Sequence, residues 1–222
     1  VCTLVIPILI IAFAFFYRSS RVSQKIQVNS QCSFYEQQIP KQFSEIFGSI
    51  LSTQNQLLSS PELYSYLYEK YNDANSLSQI AAQLHSSIKY MCMSSVYLDS
   101  IYIYSKSSDY ILSNYTSSYR NEFPDTEWIN ESTRYTEYRT PVTDGIKKHY
   151  LSFITDISSY GYPDGFIVYN IDCTKLPDIM YTSSEFIDKL YIMDSTNRII
   201  YSNDEAYINK MFNKSDFSDN II

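Results

Sequence analysis

Residues 98–114 read LDSIYIYSKSSDYILSN. From Tyr97 to Tyr104, β-branched and aromatic residues dominate, which is the composition of a strand. Ser105 to Asp109 is a polar turn, and Tyr110 to Ser113 returns as a second strand. The stretch is therefore a hairpin. It decides the fold because the chain before it is patterned as helix and the chain after it as strand.

Downstream, Tyr135 to Pro141 reads as a weakly marked strand and His149 to Asp156 as a well-alternating one. Gly165 to Asp172 is more continuously apolar, as a central strand is. Tyr160 to Gly165 carries turn chemistry, and Asp172 to Met180 reads as a short helix. Residues 114–135 are polar and irregular and hold Pro124 and the only tryptophan, Trp128. Asp125-Thr126-Glu127-Trp128 predicts a short helix with Asp125 as its N-cap. A second hairpin follows: Lys189 to Asp194, a turn at Ser195-Thr196-Asn197, and Arg198 to Ser202. Both hairpins end in Ser-Asn, at Ser113-Asn114 and Ser202-Asn203, which predicts two tandem copies of one unit.

Upstream, Ser23 to Ser60 is patterned as helix, with Phe43, Ile46, Phe47, Ile50, Leu57 and Leu58 on one stripe. That stripe suits core packing and a parallel homodimer alike. Ser60 reads as an N-cap and Pro61 as the first residue of a new helix. That helical region carries Leu63, Leu67 and Tyr71, then Leu77, Ile80, Ala81, Leu84 and Ile88, with a break at Asn72 to Asn75. The chain opens on VCTLVIPILIIAFAFFY, residues 1–17, which has no charge and is followed by Arg18, Arg21 and Lys25. A membrane span takes roughly 17–25 apolar residues, and no small-residue cleavage site follows the run, so a retained anchor is expected rather than a signal peptide. Positive residues after a span favour the cytoplasmic side, but a preceding segment could outvote them. The expected organisation is a transmembrane helix at 1–17 and a helical stalk at 18–95. A sheet module follows at 96–180, and the start of a second, truncated module at 181–222. Helices segregated from an antiparallel sheet make an α+β fold.

The formal net charge of −7 argues against a nucleic-acid surface. Cys92 and Cys173 can pair or stand as buried free thiols. Neither cysteines nor His85 and His149 show metal-ligand spacing, and no nucleophile motif or phosphate-cradling glycine loop is present, so no catalysis, metal or cofactor is expected. A ligand pocket is the better expectation, built from Trp128, Tyr138, Arg139, Tyr150, Asp156 and Asp172. The aromatic rings would wall it, while Arg and Asp would orient a small polar solute such as a sugar. Three of them have a plainer reading: Trp128 as a core cap, Arg139 as half of a surface salt bridge, Asp172 as the cap of the helix beginning near Thr174.

Three segments together resemble the extracytoplasmic double Cache sensor domains (PAS-like modules) of bacterial receptors: LDSIYIYSKSSDYILSN at 98–114, GFIVYNIDCTKL at 165–176 and KLYIMDSTNRIIYSND at 189–204. The layout is similar to the sensor half of YesM-like histidine kinases. Membrane-bound AraC-type regulators and chemoreceptors share it. The resemblance implies a cell-membrane protein with residues after 17 outside the cytoplasm, a small-molecule ligand and a two-component output. Some members bind amino acids through an Arg-x-Trp-Tyr motif, and here Thr126-Glu127-Trp128-Ile129 lacks both the Arg and the Tyr, while Asp172 matches the family's late-strand aspartate. The expected function is ligand sensing relayed through a dimeric stalk. The rivals are an anchored adhesion protein and a secreted enzyme.

Overall fold

The computed structural model describes residues 2–68, 74–129, 136–143, 145–159, 162–176 and 189–213, with backbone alone at 2–12, 14, 74–77, 159, 162 and 163. A helix α1, Cys2–Leu58, is followed by α2, Pro61–Tyr68, and α3, Ala74–Ser94. At about 1.5 Å per residue α1 is about 85 Å long. Its backbone runs unbroken from the apolar opening into the polar stalk. Among the described residues no helix is long and apolar enough to cross a membrane; the side chains that make up most of the 1–17 run lie outside them. Ser60 caps α2 as its sequence position requires, its Oγ accepting from the Leu63 N–H at 3.1 Å.

The strands are β1 Leu98–Ser105, β2 Tyr110–Ser113, β3 Ser117–Tyr119, β4 Thr136–Arg139, β5 Val142–Thr143, β6 Ile146–Lys147, β7 Tyr150–Ser159, β8 Tyr162–Asp172, β9 Tyr191–Met193 and β10 Ile199–Ser202. Six of them form one antiparallel sheet in the order β3-β2-β1-β8-β7-β4. β8 is therefore central, as its continuous apolar run predicted. The turn expected at 160–165 is shorter in the structure: β7 and β8 stay paired as far as Ser159 and Tyr162, and Tyr160 and Gly161 lie outside the described residues. Of the short helix expected at Asp172 to Met180, Asp172 instead ends β8 and residues 173–175 form a turn, while 177–180 lie outside the described residues.

Strand alternation gives the sheet two unlike faces. One face carries Ile101, Ile103, Leu112, Leu151, Phe153, Ile167, Tyr169 and Ile171. It packs on Ile46, Ile50 and Leu57 of α1, Leu63, Tyr66 and Leu67 of α2, and Leu84 and Ile88 of α3. The α1 stripe, which suited core packing and a dimer alike, gives Ile46, Ile50 and Leu57 to the chain's own core, and Phe47, still exposed, meets Phe153 edge-on at 5.6 Å. A period of three and four marks an apolar helix face but not what covers it. Cys92 and Cys173 belong to this core and are unpaired, and burial pushes the Cys92 thiol up to about 12.

The opposite face is covered by the connection after β3, which contains a 3-10 turn at Glu127–Ile129. Tyr102, Tyr104, Ile111, Phe123, Trp128, Ile154 and Val168 form a second, smaller core there.

The β9–β10 hairpin repeats local details of β1–β2. The Asn114 Oδ1 accepts from the Ile101 N–H at 3.1 Å, and the Asn203 Oδ1 accepts from the Leu190 N–H at 2.9 Å, each spanning 13 residues. The Ser113 Oγ accepts from the Tyr115 N–H and the Ser202 Oγ from the Asp204 N–H, each two residues on. The shared Ser-Asn ending is therefore a shared closing device: it satisfies backbone donors at the open end of the hairpin.

Candidate functional site

The loop-side face of the sheet is apolar at one end and polar at the other. Ser100 on β1, Asn170 on β8 and Ser152 on β7 stand in one row across three paired strands. All three are buried at the middle of the sheet. Arg139, on the edge strand β4, is in register with Tyr150 of β7 in the next row and reaches across them. Its Nε donates to Ser152 Oγ at 2.9 Å, its Nη2 to Asn170 Oδ1 at 2.9 Å, and its Nη1 to Asp125 Oδ1 at 2.6 Å. Ser152 Oγ donates on to Asn170 Oδ1 at 2.7 Å, and Asn170 Nδ2 donates to Ser100 Oγ at 2.9 Å. A continuous buried chain thus runs from the covering segment through the edge strand to the centre of the sheet.

Arg139 is 6% exposed and Asp125 3%. Arg139 is therefore not half of a surface salt bridge, and Asp125 is not the N-cap the sequence predicted. Its carboxylate turns to Arg139, and its backbone carbonyl accepts from the Trp128 Nε1–H at 2.9 Å. Burial raises the Asp125 carboxyl and the guanidinium opposes that rise. The guanidinium keeps its proton, and its Nη1 faces Asp125 Oδ1 with both side chains buried. Asp125 Oδ2 is buried, with the Tyr102 hydroxyl beside the carboxyl helping to hold it down.

Trp128 is 1% exposed and walls this region, its ring among Tyr102, Tyr104 and Phe166 at centroid distances of 6.3, 6.3 and 6.4 Å. Burial pushes the Tyr102 hydroxyl, with the Asp125 charge nearby, above the usual phenol range. Tyr150 lies at the polar end and donates to Asp99 Oδ2 at 2.7 Å. Asp172 shares its row, and its Oδ1 accepts from the Thr174 N–H at 2.9 Å and the Thr174 hydroxyl at 2.6 Å. Asp172 thus caps a turn at Thr174, where the plainer reading had the cap of a helix. Lys175 Nζ lies 3.8 Å from Asp99 and 3.6 Å from Asp172.

Of the six residues expected to form the site, Trp128, Arg139, Tyr150 and Asp172 stand together on the loop side. Asp156 is on the same face but exposed, two rows beyond Ser152. Tyr138 falls on the other face, because it neighbours Arg139 on a strand and adjacent residues alternate. Its hydroxyl lies 2.6 Å from His149 Nδ1 and 3.5 Å from Glu205 Oε1, at the contact with the second hairpin. His149 Nδ1 is itself 3.0 Å from Glu205 Oε1, and Arg198 Nη2 donates to the Thr136 carbonyl at 3.2 Å. The sequence reading missed Asp125, Ser100, Ser152 and Asn170 as site residues. For Ser100, Ser152 and Asn170 the signal was a polar residue interrupting an otherwise apolar strand, at matching positions in three strands.

A cavity of about 360 Å³ lies elsewhere, lined by Gln56, Leu57, Ser60, Ser86, Ser87, Tyr90 and Met91 of the helices. It has no charged lining group, and the polar array is the stronger candidate because its groups converge.

No protein-family model matches the chain, and no curated protein matches it in sequence. Solved structures share its fold. The ligand-binding domain of the Pseudomonas fluorescens chemoreceptor CtaA, in complex with L-serine, is 13% identical with a TM-score of 0.52, over 88% of this chain and 80% of that one. The ligand-binding domain of the Pseudomonas aeruginosa PAO1 amino-acid chemoreceptor PctC, in complex with GABA, is 12% identical with a TM-score of 0.51, over 87% of this chain and 86% of that one. The chain thus has the α+β fold of Cache-like ligand-binding sensor domains.

Proposed function

We propose that this chain is the ligand-sensing region of a membrane receptor, with a small polar solute bound on the loop side of the sheet. The observation that carries the reading is the buried array Ser100–Asn170–Ser152–Arg139–Asp125. A scaffold needing only stability would fill this position with apolar side chains, since buried ion pairs are weak sources of stability. Convergent polar groups beside aromatic walls are the composition of a ligand site. An adhesion protein has no use for such an array beneath a covering segment. The reading assigns no catalysis to this chain.

The run at 1–17 is proposed as the anchor, with the residues after it outside the cytoplasm. The hairpin at 189–213 is proposed as the opening of a second module, on the strength of the matched Asn114 and Asn203 contacts. β4 connects the two levels, because Arg139 on one face joins the polar array while Thr136 and Tyr138 on the other meet the hairpin. A ligand that favours one position of β4 would shift the hairpin and the chain beyond it. It can do so only by its difference in affinity for the two states. The output we favour is a YesM-like histidine kinase. A chemoreceptor output is the second reading, favoured by the two chemoreceptor domains that share the fold. A homodimer would use the part of α1 left uncovered by the core, where Val22 and Ile26 are exposed.

The test is a thermal-shift panel on the full chain in lipid nanodiscs, with sugars, polyols, amides and amino acids. A saturable rise in Tm with one class, lost in Asn170→Ala, is the expected result. No saturable response to any class would favour the adhesion reading.

A further inference from the structure

The two ends of α1 are held differently. From Ile46 onward its inner face is seated in the core, where Ile46, Ile50 and Leu57 are each no more than 2% exposed. Toward the N-terminus the grip loosens. Ile39 and Phe43 are only partly buried against the core, and no described residue of α1 before Ile46 is fully buried.

The two residue types least suited to a helix interior stand on either side of that boundary, at Pro40 and Gly48. Pro40 has no N–H, so the Glu36 carbonyl loses its helical donor, and the proline ring crowds the same carbonyl. Gly48 is the one glycine among the 57 residues of α1. A glycine inside an element usually answers a left-handed backbone or a close approach. Neither holds here: among the described residues the glycine with positive φ is Gly145, and a Cβ built at Gly48 meets nothing within 4 Å. Pro40 and Gly48 both face solvent, so packing within the chain calls for neither. Their shared effect is to weaken the helical ladder where α1 passes from loosely to tightly held. Sharp bends in helices fall at prolines and at Gly-Ser pairs, and Gly48 is followed by Ser49. The Thr53 Oγ1 also donates to the Ser49 carbonyl at 3.0 Å, a back-bond that bends helices.

We propose that residues 36–48 are a hinge in α1. The stalk before Glu36 swings against the sheet module, and a rearrangement of the sheet reaches the opening run as a change of angle rather than as the thrust of a rigid rod.

The experiment reads that swing by pulsed electron–electron distance measurement on the full chain in lipid nanodiscs. One spin label sits at Val22→Cys on the stalk. The other sits at Tyr119→Cys on β3 or, in a second sample, at Val142→Cys on β5; all three positions are exposed. Cys2→Ser and Cys32→Ser remove competing thiols, and labelled chain is diluted into unlabelled chain so that only distances within one chain are read. Val22 lies about 27 Å along the helix from Pro40, so a bend of about 20° carries it sideways by about 9 Å. The wild type should therefore give a broad distribution in at least one pair. Pro40→Ala with Gly48→Ala should narrow it about two-fold, and alanine favours the helix at both positions, so that chain keeps its fold. A control pair at Asn55→Cys and Tyr119→Cys, both beyond the hinge, should be narrow in both chains. Distributions from Val22 as narrow in the wild type as in the control would overturn the hinge. So would breadth that the two alanines leave unchanged. No ligand is added, so failure of the hinge and failure of the sensing role are separate results.

Discussion

At the scale of single residues, the account turns on Arg139. Breaking a buried pair from one side leaves the other charge uncompensated and typically costs about 3–5 kcal/mol. Arg139→Gln should lower the stability of the chain to urea by about that amount, whereas replacing Arg139 and Asp125 together by apolar residues of similar volume should cost much less. An equal loss in both would show that the charge pairing is not what the site depends on. A second residue-scale prediction concerns Asp194 in the β9–β10 turn. The Thr196 hydroxyl, at 2.6 Å, and the backbone N–H groups of Thr196 and Arg198 hold its carboxyl down to about 2. A carboxyl with a depressed folded pKa stabilises the fold above its unfolded value of about 3.9, and that contribution is lost as pH falls toward the folded value. Protection from hydrogen exchange across 191–202, taken relative to the intrinsic rate at each pH, should therefore fall between about pH 4 and pH 2 in the wild type, and Asp194→Asn should lack that part of the pH dependence. Sequence reading picked Arg139 from its residue type and place. It could not find Asp125 as its partner, because an aspartate three residues before Trp128 satisfies the local rule for an N-cap, and only tertiary structure shows that the carboxylate is drawn 14 residues away.

Among the elements, β8 shows what local pattern can and cannot specify. Its continuous apolar run marked it as central, and it pairs with β1 on one side and β7 on the other. Gly165, where the sequence has the turn meet the strand, sits inside the paired region opposite Ser105 and Ile157. A methyl group added there would press on the Tyr104 carbonyl and lie 2.7 Å from Leu67 Cδ2 of α2. Gly165→Ala should thus cost about 1–3 kcal/mol by forcing β1 or α2 to shift, measurable by urea unfolding. An unchanged midpoint would mean that α2 is not held tightly against this strand. The helical stripe of α1 teaches the complementary lesson. Its period was legible at Ile46, Ile50 and Leu57, but periodicity carries no information about whether a sheet or a second chain covers it. Tyr138, expected as an aromatic wall, stands apart from Arg139 for a still simpler reason: in a strand the neighbour points to the opposite face.

For the whole molecule, the fold class and the order of helices before sheet before second hairpin were readable from composition and period. The two-sided use of the sheet was not. One face is spent on the helices and the other encloses a charged array, and this division makes a binding role more economical than a purely structural one. The chain also carries its own reporter, since its only tryptophan, Trp128, packs on the same side of the sheet beside Tyr102 and donates to the Asp125 carbonyl. The most direct measurement is therefore a fluorescence titration of Trp128 in the full chain with sugars, polyols, amides and amino acids. The account predicts a saturable change in emission with at least one of them, abolished in Asn170→Ala and retained in Tyr138→Phe, whose side chain lies on the far face. An emission spectrum unmoved by every probe, or a response that Tyr138→Phe removes and Asn170→Ala leaves intact, would contradict it.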